Sequence, residues 1–494
     1  MTHPADLGLV AASAALHDGS LDSEQLTEAC LERIAERDAA LGAWLQVDGE
    51  AARADARAAD RRRAAGAGGP LTGIPLGLKA TIGAAGRPLT ADSALLAGNV
   101  AQQDASCWRR LRAAGMVLLG HLHCGELSTG VWGRNPWDPA FSPGGSSSGS
   151  AIAVAARMAP AALGSDSRGS IRIPAGFNGV TGMKPSFGLV STAGCIPMAY
   201  SYDTIGPLAR SAADCALLLS ALAGPDPEDP ATITCPARLD VPTAPRAGAR
   251  PLDGVRIGVP CFRTGLLSDG VAAVVERFGG ELRALGATLV SIQRPPNPLE
   301  EGGFAAILGG ESVALLEQLA DRAHLHRADF VEHYTPLVNQ VGSAVDYVRA
   351  QLQRAQLLAA WRAVFAEHEL DAVAEPGATG EIWRAGEPLE LEEHPWLFGT
   401  WNDANLPVLM VPAGTSAADG APVGMQLAGL PHRDATLLRI GIEYQAATGW
   451  HLAEPPALAR LGELGPYEPP PVPDAGPQPP WTAPRHPYET FVVR

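Results

Sequence analysis

Two runs of small residues, a 24-residue step apart from Ser146 to Ser170, constrain this chain more than any other feature. The first is Pro143-Gly144-Gly145-Ser146-Ser147-Ser148-Gly149-Ser150, and an Ala-rich helical stretch follows at once from Ala151. A Gly/Ser run is either a flexible linker or a backbone that must approach something closely. Its flanks favour the second reading. No domain boundary is evident there, and a helix start presents N–H groups and a positive dipole end to developing negative charge. The second run is Gly164-Ser165-Asp166-Ser167-Arg168-Gly169-Ser170. Residues this small permit a tight turn whose N–H groups point one way, as an oxyanion hole requires. Ser170 is then a candidate nucleophile. The ordinary alternative is a strand-to-helix turn with serine as a cap.

Around these runs helices and strands alternate, which predicts an α/β layer fold. The first sixty or so residues read as helix. Asp22-Ser23 supplies a cap, and Leu26, Cys30, Ile34 and Leu41 lie near one stripe. Helix continues over 50–65 and breaks over 66–73. A strand is expected at 74–79, a helix at 105–114 and a buried strand at 116–119. A further strand at 255–259 opens a second half, 270–370 is mostly helical, and strands recur at 371–375 and 408–411. Residues 225–251 form a Pro-rich loop, and the dense prolines from Pro455 onward predict an irregular tail.

Among 494 residues there are only two lysines, Lys79 and Lys184, although Lys and Arg together number 37. Two chance survivors in an Arg-biased composition would look the same. Lys79, however, ends the apolar run Gly73-Ile74-Pro75-Leu76-Gly77-Leu78. Desolvation there pushes an ammonium toward the neutral form, which arginine cannot reach.

The net charge of −16 argues against nucleic acid or an anionic membrane as partner. Seven scattered cysteines without a C-x-x-C pair read as reduced thiols, and no signal peptide is evident, so a cytoplasmic protein is expected. The twelve histidines show no zinc-site spacing, and no cofactor motif appears, so no metal and no cofactor are expected.

Lys79 after an apolar strand, the GGSSSGS run and the segment GSDSRGSIRIPA together resemble the amidase signature family. The resemblance continues through Gly179–Gly188 (GVTGMKPSFG) and 203–210 (DTIGPLAR). It returns at 406–414 and 422–429 and spans residues 10 to 450 or so. It implies a single large α/β domain over 1–454, with a central mixed β-sheet covered by helices on both faces. The signature core would be 70–215, a variable helical substrate-pocket region 270–370, and a Pro-rich tail 455–494.

The resemblance also implies a Ser–Ser–Lys triad: Ser170 as nucleophile, Ser146 as bridging serine and Lys79 as base. It implies a cis peptide bond at Gly145-Ser146, and oxyanion donors from the backbone of Ser167, Arg168, Gly169 and Ser170. The chemistry is coherent, because a serine hydroxyl is weak until a neighbour removes its proton. Asp166, Arg172 and Asp203 are expected to hold the turn, and Lys184 to be structural. Three positions depart from the family pattern: Ala80 where Asp is usual, Arg168 where Gly is common, and Ser148 where Gly often stands. Arg168 is either a structural ion pair or a residue that orients an anionic or carbonyl-rich substrate.

The leading functional expectation is an amidase that hydrolyses a small-molecule amide through an acyl-enzyme. The alternatives are the glutaminase subunit of a tRNA-dependent amidotransferase, an acyl transferase of the same fold, and a binding protein that has lost catalysis. Trp132, Arg168 and Tyr200 are candidate substrate contacts. The pocket walls are expected near Trp132, Trp137, 198–202, 300–350 and Trp401. Oligomeric state is left open by the sequence, with a homodimer as one candidate.

Overall fold

A strand that is buried along its whole length must be covered on both faces. Among the described residues, eight strands are of that kind or nearly so. The computed structural model describes residues 3–300, 302–380, 382–386 and 397–476. Its strands, in chain order, are β1 (Trp44–Val47), β2 (Pro75–Lys79), β3 (Val117–Leu122), β4 (Ala161–Asp166), β5 (Thr181–Lys184) and β6 (Thr204–Ala209). They continue with β7 (Arg256–Pro260), β8 (Thr288–Ile292), β9 (Ala372–Pro376), β10 (Val408–Thr415) and β11 (Pro422–Ala428).

All eleven form one mixed sheet in the order β1-β3-β2-β4-β6-β5-β10-β11-β9-β7-β8. β2 runs parallel to both β3 and β4, and β7 runs parallel to both β8 and β9. The middle of the sheet, from β4 through β11 to β9, is antiparallel. Helices flank this sheet within one α/β domain. Among the described residues, no helix is long and apolar enough to cross a membrane.

Local signals explain the helix bounds. Ser23–Leu41 begins at Asp22, whose side chain accepts from the Gln25 N–H in a reciprocal capping box, and ends at Gly42 with φ +67°. Every residue of the short helix Ser148–Ala155 is buried, and small side chains let it pack against β4 and β2. Among the described residues, three apolar clusters fill the interior. The largest follows the sheet, the second surrounds Trp361 and Trp401, and the third joins residues 80–101 to 319–334.

The expected strands and helices are present with small shifts of boundary. Others were invisible to periodicity. β1 interrupts the helical opening, and β8 interrupts the region expected to be mostly helical. β4 is made of Ala-Ala-Leu-Gly-Ser-Asp, a composition with neither β-branched residues nor alternation. Beyond the short turn Pro456–Glu463, residues up to 476 lack regular structure. Tyr467 donates its N–H to Ala39 O at 2.8 Å, and its ring lies where a Cβ on Gly42 would stand. The rest of the tail, 477–494, lies outside the described residues.

Candidate active site

β2 ends on Lys79, and β4 ends on Asp166 beside it, so the sheet brings the lysine to the start of the second small-residue run. Lys79 is fully buried. Its Nζ lies 2.8 Å from Ser146 Oγ and 2.8 Å from Ser165 Oγ. Burial depresses its pKa from 10.5 to about 8. The Gly145-Ser146 peptide is cis.

Ser147 stitches the two runs together. Its N–H donates to Ser170 O at 3.1 Å, and its hydroxyl donates to Ser165 O at 3.2 Å. The Ser170 side chain is half-buried, and its hydroxyl has no hydrogen-bond partner among the described residues. Thus Lys79, Ser146 and the backbone of Ser170 are gathered at one place. Ser165, the second hydroxyl on the lysine, escaped sequence reasoning; its position in the same small-residue turn was the available signal.

Asp166 shapes the turn. It accepts from the N–H of Gly169 at 2.7 Å and of Ile171 at 3.2 Å. Arg172 binds it with Nε at 3.0 Å and Nη2 at 3.2 Å. Burial alone would raise the Asp166 pKa, but the Arg172 guanidinium outweighs it and holds the carboxyl far below its usual range. Arg172, itself fully buried, also donates to Gln426 Oε1 at 2.7 Å, to Phe398 O at 3.1 Å and to Asn402 Oδ1. Asp203 accepts the Ser167 hydroxyl and the Met198 N–H, and burial lifts its pKa to about 6. Asp166, Arg172 and Asp203 therefore hold the turn, as expected.

The Gly169 contact corrects one expectation. Its N–H is already committed to Asp166, so it is not a free oxyanion donor. The N–H groups of Ser167, Arg168 and Ser170 have no partner among the described residues. Gly169 instead supplies conformation. Its φ is +113°, and a Cβ there would come within 2.7 Å of Ile173 Cδ1.

A cavity opens beside the lysine, lined in part by Ser128, Ser165, Cys195, Met198, Tyr200 and Asp203. A second cavity of about 270 Å³ shares Thr192, Tyr200 and Asp203 with it, and adds Ser201, Glu311 and Tyr347. Tyr200 thus lies at the cleft.

Trp132 does not line these cavities. It is 5 % exposed, stacked 4.3 Å from His123 and capped by the Arg327 guanidinium at 4.7 Å. Trp401 is also core rather than wall: its ring lies 4.5 Å from Trp361 and its Nε1 donates to Glu375 at 2.7 Å. Trp137 is tied to Asn178 O at 2.9 Å.

Two of the departures have local reasons. Ser148 Oγ accepts the Trp132 N–H at 3.1 Å, and Ala80 is buried in the third apolar cluster. Lys184 is buried, with Nζ 3.1 Å from Pro185 O, and burial lowers its pKa to about 7.

A family model described as Amidase matches residues 25–438. The chain belongs to the amidase family. As an amidase-family chain it is similar to a subunit of the glutamyl-tRNA(Gln) amidotransferase of Cupriavidus necator. The two are 39 % identical over 488 residues, which cover 89 % of this chain and 96 % of that one. Among solved structures it is similar to the native peptide amidase from Stenotrophomonas maltophilia, with TM-score 0.76 and 32 % identity over 90 % of this chain and 97 % of that one. It is also similar to a chain of a vestigial protein complex connected with the origins of an s-triazine catabolic enzyme. That match has TM-score 0.80 and 30 % identity over 90 % of this chain and 99 % of the other. The signature residues named above belong to an enzyme family whose shared chemistry is on amide C–N bonds.

Proposed function

We propose that this amidase-family chain breaks the C–N bond of a primary carboxamide through an acyl-enzyme on Ser170. The supporting observation is the contact of 2.8 Å between a fully buried Lys79 amine and the Ser146 hydroxyl. In its neutral form Lys79 accepts a proton from Ser146, which takes one from Ser170. The Ser170 oxygen adds to the carbonyl, and the oxyanion is received by the N–H groups of Ser167, Arg168 and Ser170. The C–N bond breaks as the relay runs backward and returns the proton to the departing nitrogen, which leaves as ammonia. Water then releases the carboxylic acid.

Similarity to the amidotransferase proteins favours an ammonia-supplying component of a complex over the free-standing hydrolase that was the leading expectation. In that reading the ammonia passes to a second chain, and glutamine is the donor. Intact-mass trapping of an acyl adduct on the wild type, lost in Ser170→Ala, tests the shared chemistry. A wild-type protein that turns over carboxamides without any adduct refutes it. Purification of the tagged chain from its native source tests the amidotransferase reading. A stoichiometric partner that raises glutamine-dependent ammonia release supports it, and full activity from the isolated chain favours the free-standing hydrolase. An acyl-enzyme that persists in water and turns over only when an amine is supplied would identify acyl transfer.

A further inference from the structure

We infer that Arg168 is a specificity residue that grips a carboxylate carried by the amide substrate. This rests on the acyl-enzyme reading of Ser170 and deepens it by naming a substrate class.

Arg168 stands two residues before Ser170, on the turn whose N–H groups face the reacting carbonyl in that reading. Its guanidinium is held in place. Nη1 pairs with Asp403 Oδ1 at 3.0 Å, and the charged carbon lies 3.7 Å from the centroid of the Phe304 ring. Asp403 is itself fixed, being fully buried and accepting from the Tyr202 hydroxyl at 2.9 Å and Asn297 Nδ2 at 2.8 Å. Gly399 leaves the room for this, since a Cβ there would stand 2.7 Å from Arg168 Nη2.

The pair nevertheless leaves the guanidinium unfinished. The Arg168 side chain keeps 29 % of its surface exposed, and neither Nε nor Nη2 has an acceptor among the described residues. A planar guanidinium anchored by one N–H and one face offers its remaining edge to a planar anion in the fork geometry that suits carboxylate. The other cation of the turn, Arg172, is spent on Asp166, Asn402 and Gln426. Among the described residues the cavities beside Lys79 are lined by Asp203, Asp229 and Glu311 and by no Lys, Arg or His, so they repel a carboxylate. Arg168 is therefore the group at this turn to which a substrate carboxylate would be directed. A purely structural ion pair would leave substrate charge unread.

The test compares succinamate and glutaramate with butyramide and valeramide on the full chain, so that a carboxylate replaces a methyl at matched length. The expected wild-type kcat/KM favours the carboxylate-bearing amide by about tenfold or more. Arg168→Gly brings that ratio close to one through KM, and Arg168→Lys restores part of it. A second measurement needs no variant: succinate should inhibit butyramide hydrolysis competitively, and dimethyl succinate, which carries no carboxylate, about tenfold less well. A wild-type ratio near one, or an unchanged ratio in Arg168→Gly, overturns the inference while the trapped acyl-enzyme leaves the reaction standing. Absence of any acyl-enzyme in the wild type overturns both.

Discussion

Ser165 Oγ lies 2.8 Å from Lys79 Nζ, the same distance as Ser146 Oγ, so the lysine is clasped by one hydroxyl from each small-residue run. A neutral amine has two N–H groups and one lone pair. When Ser165 accepts an N–H, the lone pair is left for Ser146.

This arrangement makes Ser165 a positioning residue. Ser165→Ala should lower kcat by about tenfold with little change in KM, because one buried hydrogen bond orients the base. Ser165→Thr, which keeps the hydroxyl, should retain most of the rate. Steady-state kinetics check both, and an unaltered kcat in Ser165→Ala would remove the role.

The pH profile follows from the same lysine. In the proposed mechanism Lys79 accepts a proton only when deprotonated, so kcat/KM should climb through about pH 8 and level off above it. Lys79→Arg should be inactive at every pH, since a guanidinium does not give up its proton. Stability has its own sign. The unfolded lysine keeps its proton to about pH 10.5, whereas the native one releases it near 8. Folding is therefore penalised by this residue below pH 8, and the penalty fades as pH rises from 8 to 10.5. Lys79→Met should melt no lower than wild type at about pH 7 despite losing activity, as differential scanning calorimetry would show.

Arg172→Met leaves Asp166 buried and unpaired. Breaking a buried pair from one side costs about 3–5 kcal/mol, so urea denaturation should show a loss of that order. The same variant should lose turnover even where it remains folded, because Asp166 also anchors the N–H groups of Gly169 and Ile171.

Gly169→Ala combines a positive φ with a clash against Ile173. The expected result is a fall in kcat of about a hundredfold or more, the size seen when oxyanion donors move, with a smaller loss of thermal stability. Stopped-time product assays beside a melting curve separate the two effects.

How much of this could be read from the chain alone differs by element. Lys79 stood out through its rarity and its apolar setting. Ser146 and Ser170 stood out because glycines beside them have a steric meaning. The hold of Asp166 on Gly169 was hidden, since donors and acceptors along a tight turn have no periodicity. The clamp on Arg168 was hidden for another reason: Asn297, Phe304 and Asp403 come from segments more than a hundred residues away. Trp132 misled because an aromatic near a glycine-rich run looks the same whether it faces a ligand or, as here, a histidine and an arginine.

The reach of Arg172 to Gln426, 254 positions on, carries a temporal consequence. During synthesis Lys79, Ser146 and Ser170 all leave the ribosome long before the residues that steady their turn. On the proposed mechanism a half-made chain bears Lys79, Ser146 and Ser170 yet lacks this brace, so the turn is set only when the last strands arrive.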